Sequence, residues 1–270
     1  MARKRPILIT LLITIVTVGT SLSALAQAPV LEQILKNGEI RIGMTGTQPP
    51  YNAADRSGQL IGLEVDLARM LASALGVNVR FVTRPFAQLM PALDAGEVDV
   101  VMSGMAITAE RSLTAAFVGP YLFSGKSILT NSRALAAAQE AGAFNRANLK
   151  LAALENSTSQ RFVEKVLPEA QLTTTKDYDT AVNMVINDEV DAMVADMPIC
   201  VLSVMRYPDK GLATLNEPLN LEPVGLAVSP RDPQLRGLLD SYVKAYEATG
   251  QLEAIRKKWL EDGSWIAALP

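Results

Sequence analysis

The chain has 270 residues, 49% hydrophobic and 20% charged, with a net charge of −3, one cysteine and no histidine. That composition is of a folded chain rather than a disordered one. The missing histidine excludes Ser-His-Asp and Cys-His catalysis and His-based metal sites, and the lone cysteine excludes an intrachain disulfide.

In chain order, the N-terminus reads as a processing signal. Arg3, Lys4 and Arg5 form a basic start, residues 7–18 an uncharged apolar stretch, and Ala24-Leu25-Ala26 a cleavage site, so residues 1–26 are expected to be removed. A retained anchor is the competing reading, but Thr10, Thr14, Thr17 and Thr20 interrupt a run already short for a span. No cysteine follows the cleavage site to carry a lipid. Losing the three basic residues takes the net charge from −3 to −6. An acidic chain without a basic block is not a nucleic-acid binder.

Beyond the signal, strands and helices alternate. Residues 40–44 predict a strand, 64–75 an amphipathic helix stopped by Gly76, 77–82 a strand, 86–95 a helix ended by Gly96, and 98–102 a buried strand. The alternation resumes with a strand over 149–154, a helix over 157–167, a strand over 171–175, a helix over 177–186 and a strand over 190–195. Such a pattern predicts an α/β fold with largely parallel sheets covered on both faces. Cys200 falls in an apolar helical stretch and reads as a buried, inert thiol.

The segment Gly96-Glu97-Val98-Asp99-Val100-Val101-Met102-Ser103-Gly104 has an echo in Asp188-Glu189-Val190-Asp191-Ala192-Met193-Val194-Ala195-Asp196. Phe86 precedes Asp99 by 13 residues, as Tyr178 precedes Asp191. Chance among common α/β turns is one explanation, and two lobes of similar topology the other. Ligands of open α/β sheets sit beyond the carboxyl ends of the strands, which points to Ser103-Gly104 and to Asp196.

Two features there suit a zwitterion. After Ser103-Gly104, Thr108 can cap a short helix carrying Arg111, and backbone N–H groups beside an arginine form a carboxylate trap. Asn156-Ser157-Thr158 is a second candidate anion site at a helix start, unless Ser157 serves as a plain cap. Asp196 ends an apolar strand, where a carboxylate needs a cationic partner that a ligand ammonium could supply.

Further motifs stand beside these: Gly58-Gln59-Leu60-Ile61-Gly62-Leu63-Glu64-Val65-Asp66-Leu67-Ala68, Met90-Pro91-Ala92-Leu93, Ser103-Gly104-Met105-Ala106-Ile107-Thr108-Ala109-Glu110-Arg111, Phe117-Val118-Gly119-Pro120-Tyr121 and Lys258-Trp259. In this combination and order the chain, over about residues 30–262, resembles the polar-amino-acid family of periplasmic solute-binding proteins that serve ABC importers. The resemblance implies a type II Venus-flytrap of two α/β lobes joined by two hinge strands, near residues 126–130 and 223–228. Lobe 1 is then 27–127 plus 225–270, and lobe 2 is 128–224. It implies that Arg111 holds a ligand α-carboxylate with help from Ser103, Gly104, Ala106, Ser157 and Thr158. Asp196 takes the α-ammonium, and Phe86, Tyr51 and Gln48 line the side-chain end. The partners implied are a small amino acid and a membrane permease. The protein is expected to be a periplasmic monomer without metal or cofactor.

The sequence departs from the family at Gln48, where many members carry an aromatic, at Ala106, where a hydroxyl is usual, and at Asn156, where glycine is usual. Thr45 and Leu154 stand where readers of charged side chains place an acid and a base, which predicts a neutral amino acid. The resemblance extends to cyclohexadienyl dehydratases, which place a glutamate three residues after the pocket aspartate. That position here is Ile199, and Glu155 is the acid nearest the expected pocket, so the reading is a binding protein and not an enzyme. A receptor's sensor lobe would need a membrane span after residue 250, which the sequence lacks.

Overall fold

A computed structural model describes residues 29–138 and 140–270; the expected signal segment lies outside them. The first part of the chain forms α1 (Val30–Asn37), β1 (Glu39–Met44), the short β2 (Thr47–Gln48), β3 (Asn52–Ala54) and β4 (Leu60–Ile61), then α2 (Leu63–Leu75), β5 (Asn78–Thr83), α3 (Phe86–Asp94), β6 (Val100–Val101) and β7 (Ala116–Ser124). The second part forms β8 (Lys126–Thr130), α4 (Arg133–Ala136), β9 (Lys150–Leu154), α5 (Thr158–Val166), β10 (Gln171–Thr175), α6 (Tyr178–Ile186), β11 (Ala192–Asp196), α7 (Met197–Arg206) and β12 (Ala213–Thr214). The chain then returns through β13 (Glu222–Val228), α8 (Pro233–Ala248) and α9 (Gln251–Arg256).

Two five-stranded sheets result, ordered β5-β1-β6-β13-β7 and β10-β9-β11-β8-β12. In each, the first three strands are parallel and the fourth runs antiparallel to the third. The two sheets therefore share one plan, and the echo noted in the sequence marks the third strand of each. Parallel strands must be covered on both faces, which is why β11 and residues 151–154 of β9 are wholly buried.

The expected strand over 98–102 pairs over Val100 and Val101 alone. At its far end the chain bends away at Gly104, whose φ is +56°. The Arg111 segment is also set by β13: Ala106 bridges to Val224, and the Ile107 N–H donates to the Pro223 carbonyl at 2.8 Å.

The crossings between sheets are tight. Gly125 separates β7 from β8, and a Cβ there would lie 1.8 Å from the Asn220 carbonyl oxygen, just before the returning strand β13. By strand pairing, Lys126 and Ser127 belong to the second sheet and Glu222–Val224 to the first. These sheet memberships differ by a few residues from the lobe boundaries read from the sequence. Cys200 is buried in α7, and burial, with the nearby Asp196 charge, pushes its thiol up to about 12. Among the described residues no helix is long and apolar enough to cross a membrane, and no acidic or thiol cluster could hold a metal ion.

Candidate functional site

The carboxyl ends of β1 and β6 face those of β9 and β11 across the space between the sheets. From the first sheet comes Arg111, positioned by a one-turn 3-10 helix whose Thr108 hydroxyl accepts the Arg111 N–H at 3.2 Å. The side chain is buried, 7% exposed. Its guanidinium donates to the Ala106 carbonyl at 3.0 Å and, across the cleft, to the Asn156 carbonyl at 3.4 Å. It lies 5.6 Å over the Phe86 ring. No carboxylate among the described residues pairs with it. Burial, reinforced by the neighbouring Arg161, lowers its pKa to about 10, so it stays charged at neutral pH. A desolvated cation without a counter-ion is costly unless a ligand supplies one.

The donors expected beside it are turned elsewhere. The Gly104 N–H donates to Glu64 at 2.8 Å, and the Ser103 hydroxyl donates to Gln48 Oε1 at 2.7 Å. Glu64 also accepts from Asn52 at 2.7 Å and from the Tyr121 hydroxyl. Burial outweighs those hydrogen bonds and raises the Glu64 carboxyl to about 6. Glu64 thus fixes the turn that carries Ser103 and Gly104, and the Gly104 N–H is not open to a ligand. Tyr51 is fully buried, its hydroxyl 3.5 Å from Ser124 Oγ.

In the second lobe Ser157 caps α5. Its hydroxyl accepts from the Gln160 N–H at 3.1 Å and donates to the Leu154 carbonyl at 2.6 Å, so its one proton is not available to a ligand carboxylate. Thr158 instead donates to Glu222 at 2.8 Å.

Asp196 has a resident partner that the sequence reading did not identify. Lys126, 1% exposed, sits opposite it in the β8–β11 ladder and places Nζ 2.5 Å from Asp196 Oδ1 and 2.9 Å from Glu222 Oε2. Burial would push the Glu222 carboxyl up, but the Lys126 charge and the hydrogen bonds from Lys126, Thr158 and Asn220 hold it below its usual range. Tyr178, the first residue of α6, is buried and lies near Asp196, and burial, reinforced by that charge, pushes its hydroxyl pKa well up. It matches Phe86 at the start of α3. A single charge in the otherwise uncharged stretch 126–130, and the 13-residue spacing already noted, were the available signals for Lys126 and Tyr178.

Arg111, Phe86, Asp196 and Thr158 thus meet at the cleft with Lys126, Glu222 and Tyr178, while Ser103, Gly104 and Ser157 support it from behind. Asp196 and Glu222 lie near enough for their charges to act on Arg111. A cavity of about 260 Å³ opens beside Arg111, walled by Phe86, Met90, Met105, Asn156 and Arg161.

The family described as bacterial extracellular solute-binding proteins, family 3, matches residues 40–262. Cyclohexadienyl dehydratase of Pseudomonas aeruginosa is 26% identical over 241 residues, 89% of this chain and 90% of that protein. ABC transporter arginine-binding protein 1 of Escherichia coli is 26% identical over 225 residues, covering 82% of this chain and 90% of its own length. Among solved structures, an ancestral amino acid-binding protein, a precursor of cyclohexadienyl dehydratase, superposes with a TM-score of 0.79 at 31% identity, over 87% of this chain and 100% of its own.

Proposed function

Because this chain belongs to family 3 of the bacterial extracellular solute-binding proteins, with the two-lobed type II fold of that family, we propose that it captures an amino acid between its lobes and delivers it to the permease of an ABC importer. It works in the periplasm as a monomer, after loss of residues 1–26. Lobe 1 is built on the first sheet and lobe 2 on the second.

The observation that carries this reading is Arg111: a buried guanidinium, stacked on Phe86, with no carboxylate of its own among the described residues. The ligand α-carboxylate completes it. The α-ammonium goes to Asp196, whose Oδ1 is taken by Lys126 and whose Oδ2 carries no hydrogen bond among the described residues. Phe86 gives the pocket an aromatic wall. Thr45 and Leu154 offer no charge to a side chain, and Glu155 is exposed, so the ligand is a neutral amino acid. A bare cationic head in such a pocket would lose its water without gaining a partner.

The likeness to a dehydratase supports a second reading, an elimination on an arogenate-like substrate. It needs a proton donor at the leaving hydroxyl. Position 199 is a buried isoleucine, and the ammonium beside Asp196, that of Lys126, is held between two carboxylates. The binding reading is therefore preferred; formation of phenylalanine from arogenate by the purified protein would reverse that preference.

A thermal-shift panel of the common amino acids tests the proposal. A ligand bound by the folded state alone adds about 2.7 kcal/mol at a hundredfold excess over Kd. Neutral amino acids should raise the midpoint. Shifts with arginine or lysine and none with neutral ligands would overturn the assignment of the pocket.

A further inference from the structure

We infer that Lys126 is the specificity-determining residue that fixes the charge of the ligand, an inference that rests on the amino-acid-binding reading above. Four buried or largely buried charges face the cleft: Arg111 and Lys126 positive, Asp196 and Glu222 negative. They sum to zero. At the rim, Arg161 pairs with Glu110 at 2.9 Å and also adds nothing. Glu64 stands behind the Gly104 backbone, its carboxylate engaged by the Gly104 N–H, Asn52 and the Tyr121 hydroxyl.

A ligand with no net charge leaves this balance intact. A lysine or arginine ligand would add one unmatched, desolvated positive charge. Without Lys126 the same cleft would carry one surplus negative charge, and a cationic ligand would restore neutrality. Lys126 thus acts as an internal cation, built into the hinge strand where the extra charge of a basic amino acid would otherwise be balanced. The pairing geometry supports this role. Both oxygens of Glu222 are engaged, by Lys126, Thr158 and Asn220, whereas Asp196 has one oxygen engaged and one left for a single ligand ammonium.

The test is calorimetric titration of L-leucine, L-glutamine, L-arginine and L-glutamate into the wild type, Lys126→Met and Glu222→Gln. The wild type should bind a neutral amino acid at least about tenfold more tightly than arginine. Lys126→Met should move the arginine-to-neutral affinity ratio toward arginine by about 30-fold or more, and Glu222→Gln should move it the other way and favour glutamate. If Lys126→Met does not fold, the opposite shift in Glu222→Gln, which keeps the Lys126–Asp196 pair, decides alone. A wild type that binds neutral ligands while the ratios in both variants stay within about threefold would overturn the role of Lys126 and leave the transport reading standing. A wild type that binds none of the four, or binds arginine best, would overturn both.

Discussion

Arg111 is held against the Phe86 ring with two carbonyl oxygens as its hydrogen-bond partners, so its removal separates binding from folding. Arg111→Ala deletes the carboxylate's counter-ion and should weaken ligand affinity by about 2–5 kcal/mol, roughly 30-fold to several thousand-fold. The free protein loses an uncompensated buried charge, which offsets the lost stacking, so its melting point should stay near wild type. Wild-type affinity on titration would show that the carboxylate binds elsewhere. Glu64 gives a pH signature. Its carboxyl moves from the usual 4.5 to about 6 on folding because it is desolvated. The folded state binds that proton more tightly, so the stabilisation is complete below about pH 4.5 and is lost as pH rises through about 6. It amounts to about 2 kcal/mol. Denaturant midpoints of the wild type and Glu64→Gln should converge or diverge across that window, with the wild type losing ground as pH rises; a constant difference would place the proton elsewhere. Much of the site was visible as residue types: an arginine after a strand end, an aspartate closing an apolar run. The destinations of hydrogens were not. That Gly104 donates to Glu64, that Ser157 caps its own helix and that Lys126 faces Asp196 depend on side-chain geometry and on a strand pairing between distant segments.

At the scale of elements, long periodic segments were read within a residue or two, because α2 has a helical apolar stripe closed by Gly76 and β9 is an apolar run bounded by polar turns. Pairing lengths were not. The apolar run 98–102 promised five strand residues, yet β6 pairs over two, since partner geometry and the turn at Gly104 decide where a ladder ends. The hinge crossing gives the sharpest prediction here. A methyl at Gly125 would meet the Asn220 backbone carbonyl at 1.8 Å, and the two crossings are tied by the Lys126 N–H donating to Asn220 Oδ1 and the Leu219 N–H donating to the Lys126 carbonyl, both at 2.7 Å. Gly125→Ala should cost about 1–3 kcal/mol by overpacking, read as a lower denaturant midpoint with an unchanged slope. An unaffected midpoint would mean that the two crossings are free to separate.

For the whole molecule, polar contacts cross between the lobes, among them Arg111 with the Asn156 carbonyl, Arg161 with Glu110, Thr158 with Glu222 and Arg206 with the Pro270 carbonyl, and Leu202 of α7 packs with Ala53 and Leu269 of the first lobe. A ligand carboxylate would pair with Arg111, and closure would then bury a balanced set of charges. Hinge closure of this kind predicts a smaller radius of gyration with a bound amino acid than without, and equal radii in solution scattering would count against it. The two-lobed plan was legible from the repeated strand–helix alternation and its echo. The two hinge strands were legible too; the residue at which each exchange between sheets occurs was not, because pairing between distant strands sets it. That exchange bears on how the chain is made. The strand β7 is an edge that pairs with β13 alone, and β13 also flanks β6, so the first sheet cannot close until residue 228 has been synthesised. The second sheet draws every strand from residues 126–214 and is available earlier. A chain threaded through an export channel from its N-terminus would therefore emerge with its first-made half still unable to lock, and the lobe that begins first would finish last.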